Sequence, residues 1–490
     1  MKATICNRIE NWKFDNTFII DVLNKKKYSY NSFFSLMPII EKRFAAAGKN
    51  IVCIMDNSFE LSLCYFSIIL SGRVIVAIDP QKEHDEIAGI IDSLYDKFII
   101  VDDAGRRKVD CYDLLITRDY LSGEVKYDGS NVKEDILRRI KKINFDDDCL
   151  LTFTSGTSGN TKGVRNSLNN LCKSADAFNK FFNVSADNVF AHVMPMTYMA
   201  GILNSIIQPF IAGSRIVIMG RFSPMVAFSF WQTVESERIN TFWLSPTMLT
   251  IIMKVGNEIV GKNYCSKNPT TFFIGTAPLH MTTRKDFENK YGVKLYASYG
   301  LSETLFLSTE TPETIVKSCD NVGTLLDGVK YRFSQAGEFL VDVPWMFLGY
   351  TNEPTDNYFD GTYYKTGDLA EINNDILSIV GRCKDLIVKG GMNISPALIE
   401  KVVITIPGIE ECAVFGSINS YKEEIVVLAY TSSVEDTQEL EKIVYSVVVK
   451  QLGRNYLIDS FYKVSQIPKN INGKIDKNAL KAKYESEIKC

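Results

Sequence analysis

The feature that most restricts the fold of this chain is a repeated alternation between short β-branched runs and stretches with helical apolar spacing. Over residues 30–46, Phe33, Leu36, Ile39, Ile40 and Phe44 recur near helical spacing, and residues 51–55 follow as a short buried-strand candidate. Residues 59–70 read as a buried helix ended by Ser71-Gly72, and the β-branched run 74–78 stops at Asp79-Pro80. A helical stretch at 87–94 and a strand at 98–101 come next, and strand candidates recur at 215–219, 241–244, 271–274 and 294–297. Such alternation predicts α/β layers with parallel strand pairing. The chain contains no repeat of fixed period and no low-complexity stretch.

From about residue 333 the pattern changes to short strands, at 338–343, 369–372 and 377–380. After Gly381-Arg382-Cys383-Lys384-Asp385 the chain starts afresh, with helix candidates at 396–406 and 437–452 around strand candidates at 412–416 and 425–430. The reading is a large N-terminal domain, 1–383, of layered α/β subdomains with a β-rich part, and a small mobile C-terminal α/β domain, 384–490, hinged near Lys384. A chain of 490 residues suits two or three compact units at about 150 residues each.

A hydrophobic fraction of 46% with 23% charged residues supports a packed core and excludes a disordered chain. The net charge of −3 builds in no long-range attraction to nucleic acid or anionic lipid. Eleven cysteines lie scattered from Cys6 to Cys490 without CxxC spacing, which reads as free thiols in a reducing compartment. His84, His192 and His280 are too dispersed to suggest a histidine metal cluster. Residues 1–16 lack the apolar centre of a signal peptide, and the apolar run 61–70 is too short for a membrane span. Cys490 is the final residue and forms no prenylation box, so the cytoplasm is the expected location.

The chemistry is concentrated in a few segments. A strand candidate at 150–154, ending in Thr154, runs into Ser155-Gly156-Thr157-Ser158-Gly159-Asn160-Thr161-Lys162-Gly163, with three glycines and four hydroxyl residues in nine positions beside one lysine. Glycines let backbone N–H groups converge on an anion, hydroxyls donate hydrogen bonds, and Lys162 supplies charge. Taken alone, the segment reads either as such a phosphate cradle or as a flexible Ser/Gly linker. It is not a Walker A loop, because Lys162 precedes Gly163 rather than Ser or Thr. Further along come Pro195-Met-Thr-Tyr-Met-Ala-Gly201, Gly275-Thr276-Ala277-Pro278-Leu279, Tyr299-Gly-Leu-Ser302-Glu303, Tyr363-Tyr-Lys-Thr-Gly-Asp368, Gly381 to Pro396, and Asn472-Gly-Lys474. Each has a bland alternative: an apolar loop, a surface carboxylate, a Gly-Asp turn, or a solvated lysine in a lysine-rich tail.

Together, and in this order from about residue 28 to 480, these segments resemble the signature motifs of the adenylate-forming superfamily (acyl-CoA synthetases, nonribosomal peptide adenylation domains and luciferase-like enzymes). The resemblance implies an AMP-forming acid–thiol ligase. It would use ATP with Mg²⁺ to convert a carboxylic acid to an acyl-adenylate, then pass the acyl group to CoA or to a pantetheine-bearing carrier protein. It implies that Thr154, Ser155, Gly156, Thr157, Ser158, Gly159 and Lys162 hold phosphates. Thr276, Ala277, Pro278 and Tyr299 would lie at the adenine. Ser302 would touch the α-phosphate, Glu303 would bind Mg²⁺, and Asp368 and Arg382 would contact the ribose or phosphate. Tyr198 and Gly201 would line the acyl pocket, Lys384 would be the hinge, Gly390 and Gly391 would flank the thiol tunnel, and Lys474 would be the catalytic lysine. The chain departs from the family pattern at Ser158 and Thr161 in the loop, at Leu168, and at Tyr198, where a histidine is usual.

Within the family, residues 190–205 bear no Asp or Glu to pair with a substrate ammonium, and offer Met194, Met196, Met199, Ile202 and Leu203 instead. A fatty or aryl acid is therefore expected over an amino acid. A carrier-protein ligase and a free-standing amino-acid adenylating enzyme remain the alternatives. A non-catalytic nucleotide binder is disfavoured because Lys162, Glu303 and Lys474 are all retained. No nucleic-acid partner and no membrane span are expected.

Overall fold

Strand pairing in the computed structural model follows the alternation seen in the sequence. The structure describes residues 1–117, 131–155, 161–351, 353–389, 392–418, 424–469 and 475–488. It divides into two compact units, one of Met1–Lys330 with Asp342–Phe359 and one of Tyr331–Val341 with Asp360–Cys490. The α/β expectation and the large-plus-small organisation hold.

The larger unit carries a nine-stranded and a seven-stranded sheet. In the first, Thr17–Asp21, Arg215–Ile218, Val189–His192, Thr241–Leu244, Thr271–Ile274 and Leu295–Leu301 lie side by side and parallel. Antiparallel strands close its ends, Lys26–Ser29 on one side and Leu305–Thr309 followed by Thr324–Leu325 on the other. In the second, Asn50–Ile54, Val74–Ile78, Lys97–Val101 and Asp148–Ser155 are parallel. Asp148–Ser155 also pairs antiparallel with Thr161–Ser167.

Local chemistry explains where the elements begin and end. The helix Phe59–Leu70 is buried on every side, and the Ser58 hydroxyl caps it by accepting from the Leu61 N–H. It stops at Gly72, whose φ of +72° suits a left-handed C-cap. The single helix expected over 30–46 is instead two short helices, Tyr30–Phe34 and Met37–Glu41. Pro38, which has no N–H to donate to a preceding turn, opens the second. Along Val189–His192 the pleat sends Val189 and Ala191 into a core with Phe230 and Trp231, while Phe190 and His192 face the other way.

In the smaller unit, Glu338–Asp342, Tyr363–Asn373 and Ile376–Arg382 form an antiparallel meander. Lys384 is exposed in the short turn Cys383–Asp385. Beyond it, Glu411–Ile418, Glu424–Thr431 and Ser460–Lys463 make a three-stranded sheet buried on both faces. Cys412, Val414, Val426 and Leu428 pack with the helices Pro396–Val403 and Thr437–Leu452. Ala413, Phe415, Val427 and Ala429 pack with Leu480 and Tyr484 of a further helix, Lys477–Ile488. Among the described residues no helix is long and apolar enough to cross a membrane.

One buried ion pair ties the nine-stranded sheet to the helix Met281–Tyr291. Arg284 donates to both oxygens of Glu310, at 2.9 and 2.7 Å, and the Ala297 N–H donates to the same carboxylate at 2.7 Å. Removing one partner of such a pair strands the other charge without solvent, at about 3–5 kcal/mol. Glu310→Ala is expected to lower unfolding free energy by about that amount. A denaturant midpoint within error of the parent would refute the role given to this pair.

Candidate functional site

Three of the motif segments, together with Ser245-Pro246, follow, or lie on, the ends of four neighbouring parallel strands of the larger unit. Pro195–Gly201 follows Val189–His192, Ser245-Pro246 follows Thr241–Leu244, Gly275–Leu279 follows Thr271–Ile274, and Tyr299–Glu303 runs off the end of Leu295–Leu301. The carboxyl ends of parallel strands are where open α/β sheets bind ligands, because loops diverge there and leave a crevice. Segments up to about 100 residues apart in sequence are thus brought together by strand order alone.

The phosphate-loop flanks arrive from the other sheet. Asp148–Ser155 and Thr161–Ser167 pair with Thr154 opposite Lys162 and Ser155 opposite Thr161. The segment 156–160 is therefore flanked by two antiparallel strands. Gly156, Thr157, Ser158 and Gly159 lie outside the described residues, and Thr154 and Ser155 are described by backbone alone. The second strand reaches the Tyr299–Glu303 segment through Asn166, fully buried, whose amide donates to the Ser302 carbonyl at 3.1 Å.

On its other edge, Thr161–Ser167 pairs with the two-residue strand Gly349–Tyr350. The Tyr350 hydroxyl donates to Glu303 Oε1 at 2.8 Å, and the Phe347 N–H donates to the Glu303 carbonyl at 2.9 Å. The Tyr350 ring also lies 5.4 Å from Lys162 Nζ, and the Tyr358 ring lies 4.4 Å from it. Lys162 pairs with Glu353 at 2.7 Å and donates to the Tyr358 hydroxyl, which in turn donates to Glu353 Oε2 at 2.8 Å. Glu353 Oε1 meets the ammonium out of line for a directed hydrogen bond, so the contact is an ion pair. Burial pulls the Lys162 ammonium toward losing its proton, but Glu353 and Tyr358 outweigh it and hold lysine above its usual range. The same pairing outweighs slight burial of Glu353 and holds that carboxyl below its usual range.

Glu303 is half-buried, with one carboxylate oxygen held by Tyr350. A lone hard oxygen donor of this kind fits magnesium, which takes few carboxylates and fills its remaining positions with phosphate and water. Among the described residues no group of three or more His, Cys, Asp or Glu could hold a metal ion by itself. Thr276 is a β-branched residue at φ +72°, a backbone conformation costly for its side chain. Ala277 is half-buried and Pro278 exposed.

The Pro195 segment is pinned from below. Asn57 donates to the Met194 carbonyl and accepts from the Met196 N–H, both at 2.7 Å, and the Tyr65 hydroxyl donates to the Met196 carbonyl at 3.0 Å. Arg221 grips Asp79 through two hydrogen bonds of 2.8 and 2.7 Å. Burial pushes the Asp79 carboxyl up, but Arg221, the Gln81 N–H and the Thr197 hydroxyl together hold it below its usual range. Tyr198 is half-buried, and Gly201 is buried with the Pro195 carbonyl where a Cβ would stand. Met194, Met196, Met199, Ile202 and Leu203 are all buried. The helix that starts at Met199 widens to a π-turn over Leu203–Ile207.

In the smaller unit, Asp368 is buried and pairs with Arg382 Nε at 2.8 Å. The Thr366 hydroxyl donates to the Phe339 carbonyl at 2.6 Å and accepts from the Asp368 N–H at 3.1 Å, which fixes the Thr-Gly-Asp turn. Gly390, Gly391 and Lys474 lie outside the described residues. Just beyond them, Lys477 pairs with Glu400 at 2.7 Å and Lys469 bridges to Ile475.

Sequence reading missed Tyr350, Glu353 and Tyr358, and gave Asn57 no role. Single tyrosines and glutamates at irregular spacing leave no periodic signal. The one available cue was Gly349-Tyr350 between two strand candidates.

Residues 15–351 match the AMP-binding enzyme family, and residues 398–474 match the AMP-binding enzyme C-terminal domain. The chain belongs to the AMP-binding enzymes, within the adenylate-forming superfamily. It is 25% identical over 469 residues to a long-chain-fatty-acid–CoA ligase of Mycobacterium tuberculosis, covering 90% of each chain. It is 26% identical over 484 residues to a 2-succinylbenzoate–CoA ligase of Staphylococcus aureus, covering 93% of this chain and 95% of that one. Its fold matches ATP-bound MatB from Rhodopseudomonas palustris with a TM-score of 0.84 at 21% identity, covering 99% of both chains. It also matches an o-succinylbenzoate CoA synthetase of Bacillus subtilis bound to its acyl-adenylate, with a TM-score of 0.80 at 18% identity and 98% coverage of both.

His192 gives this region a pH dependence. It is fully buried on the strand that leads into Pro195, and neither ring nitrogen has a hydrogen-bond partner among the described residues. Burial pulls its pKa from 6.5 to about 3, with only the nearby Gly201 backbone acting against it. Between these values the unfolded chain binds the proton and the folded chain does not, so stability rises with pH across that window and falls as pH drops below 6.5. Compared with His192→Leu, the parent is expected to lose stability on mild acidification at up to about 1.4 kcal/mol per pH unit. Denaturant midpoints of the two proteins that run parallel from neutral to acid would rule this out.

Proposed function

We propose that the chain joins a fatty or aryl carboxylic acid to CoA through an acyl-adenylate, consuming ATP and releasing pyrophosphate and AMP. The observation that carries this reading is the meeting of Lys162 and Glu303 around Tyr350, at the carboxyl ends of the parallel strands. A cation for phosphates and a hard carboxylate for magnesium thus share one crevice. The names of the relatives, ligases that join a long-chain fatty acid or 2-succinylbenzoate to CoA, support the class of acid. The methionine-rich, carboxylate-free segment that follows Val189–His192 also supports it.

A carboxylate is a poor electrophile, and linking it to AMP supplies a good leaving group. A carboxylate oxygen attacks the α-phosphorus in line, the bond to the bridging oxygen breaks, and pyrophosphate leaves. Negative charge grows on the phosphoryl and bridging oxygens, and Lys162, Ser302 and Lys474 are assigned to offset it. Bound magnesium would neutralise phosphate charge at Glu303. The thiol then gives up its proton, its sulfur attacks the acyl carbon, and AMP departs. Tyr299, with Thr276, Ala277 and Pro278, is assigned to the adenine, and Asp368 with Arg382 to the ribose. Lys384 is assigned as the hinge between the half-reactions, after which Gly390-Gly391 serves the thiol in place of Lys474. Exclusion of water between the two steps protects the adenylate from hydrolysis. The proposed location is the cytoplasm.

The test is ATP–pyrophosphate exchange over a panel of fatty, aryl and amino acids, followed by product mass with CoA and with a free-standing carrier protein. Highest turnover on a fatty or aryl acid, with acyl-CoA as product, is expected. Turnover confined to a free amino acid would overturn the substrate class, and an acylated carrier protein would overturn the acceptor. In the same assay Lys474→Ala is expected to slow exchange about a hundredfold, on the order of 3 kcal/mol, while leaving thioester formation from preformed adenylate in place. An unchanged exchange rate removes Lys474 from the mechanism.

A further inference from the structure

We propose that Glu353 is the internal counter-ion of Lys162, and that the polyphosphate of the nucleotide takes its place; the inference rests on the nucleotide reading above. The Lys162 ammonium is already satisfied. A carboxylate stands 2.7 Å away, the Tyr358 hydroxyl accepts from it, and two tyrosine rings face it at 4.4 and 5.4 Å. A phosphate oxygen cannot take the position of the Glu353 carboxylate while that carboxylate is there, because two anions would share one hydrogen-bonding distance.

The two partners differ in how easily they leave. The Lys162 side chain is 18% exposed, rises from a strand paired on both edges, and lies against two aromatic faces. The Glu353 side chain is 32% exposed and follows the end of the Gly349–Tyr350 strand. Besides the lysine, it is held among the described residues by one side-chain hydrogen bond, from Tyr358 at 2.8 Å. Glu353 is the more exposed partner of a partly exposed pair, so Glu353 moves at modest cost and Lys162 stays. The tyrosine rings attract the ammonium without carrying a formal charge, so they keep it aimed after the exchange. Glu353 therefore sets nucleotide affinity: it occupies the lysine between turnovers and weakens the hold on phosphate by the strength of the pair that must be broken.

Calorimetric titration of ATP with magnesium into the full-length protein tests this, using the parent, Glu353→Gln, Lys162→Ala and the double variant, with adenosine as a ligand that lacks phosphate. Glu353→Gln keeps the side-chain shape and removes the charge, and is expected to bind ATP about three- to tenfold more tightly, with less gain at high salt. Adenosine affinity and the thermal midpoint should stay where they are. In the Lys162→Ala background the gain should vanish, because a carboxylate with no ammonium to hold it turns into solvent. Weaker ATP binding by Glu353→Gln, an unchanged affinity, or an equal gain in both backgrounds each overturns the proposal. A parent that binds no ATP takes down the nucleotide reading and this inference with it, whereas a parent that binds ATP while Glu353→Gln gains nothing takes down this inference alone.

Discussion

Backbone pairing of the Thr161–Ser167 strand along both of its edges is the constraint on which the larger unit's chemistry depends. One edge holds Asp148–Ser155, which sets Lys162 opposite Thr154. The other holds Gly349–Tyr350, which delivers the hydroxyl that binds Glu303. From the same strand the buried Asn166 reaches the Ser302 carbonyl. Three segments distant in the chain are thus fixed by a ladder of main-chain hydrogen bonds and two side-chain bonds. The backbone around the charged centre is thereby fixed before ligand arrives, which favours electrostatic stabilisation.

How much of this was legible in the sequence depended on whether a residue belongs to a pattern. The helix Phe59–Leu70 carries its own start and stop, Ser58 and Gly72, and could be read directly. The parallel strands could be read as β-branched runs between turn residues. The helix Lys477–Ile488 could not, because its many lysines mask the few positions, Leu480 and Tyr484, that pack beneath the sheet. Its burial is decided by a partner surface that no local window contains. The split near Pro38 was foreseeable from proline chemistry, but the apolar spacing across 30–46 hid it, since two short helices can bury the same side chains as one. In the site, motif residues were legible by resemblance, whereas Tyr350, Glu353 and Tyr358 act through geometry that only the fold creates.

The two halves of the crevice are stiffened in different ways. The acyl side rests on neutral hydrogen bonds from Asn57 and Tyr65 to backbone groups, backed by the Asp79–Arg221 pair. Neutral donors and acceptors can fix a loop without placing charge among the buried methionines Met194, Met196 and Met199. His192 fits that side as well: burial favours its uncharged form, so the strand leading into Pro195 carries a polar ring without a cation. The nucleotide side is built from charges and strain, with Lys162, Glu303 and Glu353 near each other and Thr276 held at a costly backbone angle.

That division has a consequence for how the enzyme is kept folded without ligand. A crevice designed to receive four or so phosphate charges must present cations, and unopposed cations in a half-buried cleft are unfavourable. Lys162 avoids this by borrowing a carboxylate from the short turn Thr355–Tyr358 and the residues just before it. The same turn supplies the Tyr358 ring and hydroxyl, so the neutralising group and the aiming group arrive on one piece of chain. A partly exposed carboxylate suits this, since such a pair is modest in strength and can yield to phosphate. The modest exposure of Glu353 is therefore part of the design of the site, as the placement of Lys162 is: the residue must be near enough to quiet the lysine and open enough to let it go.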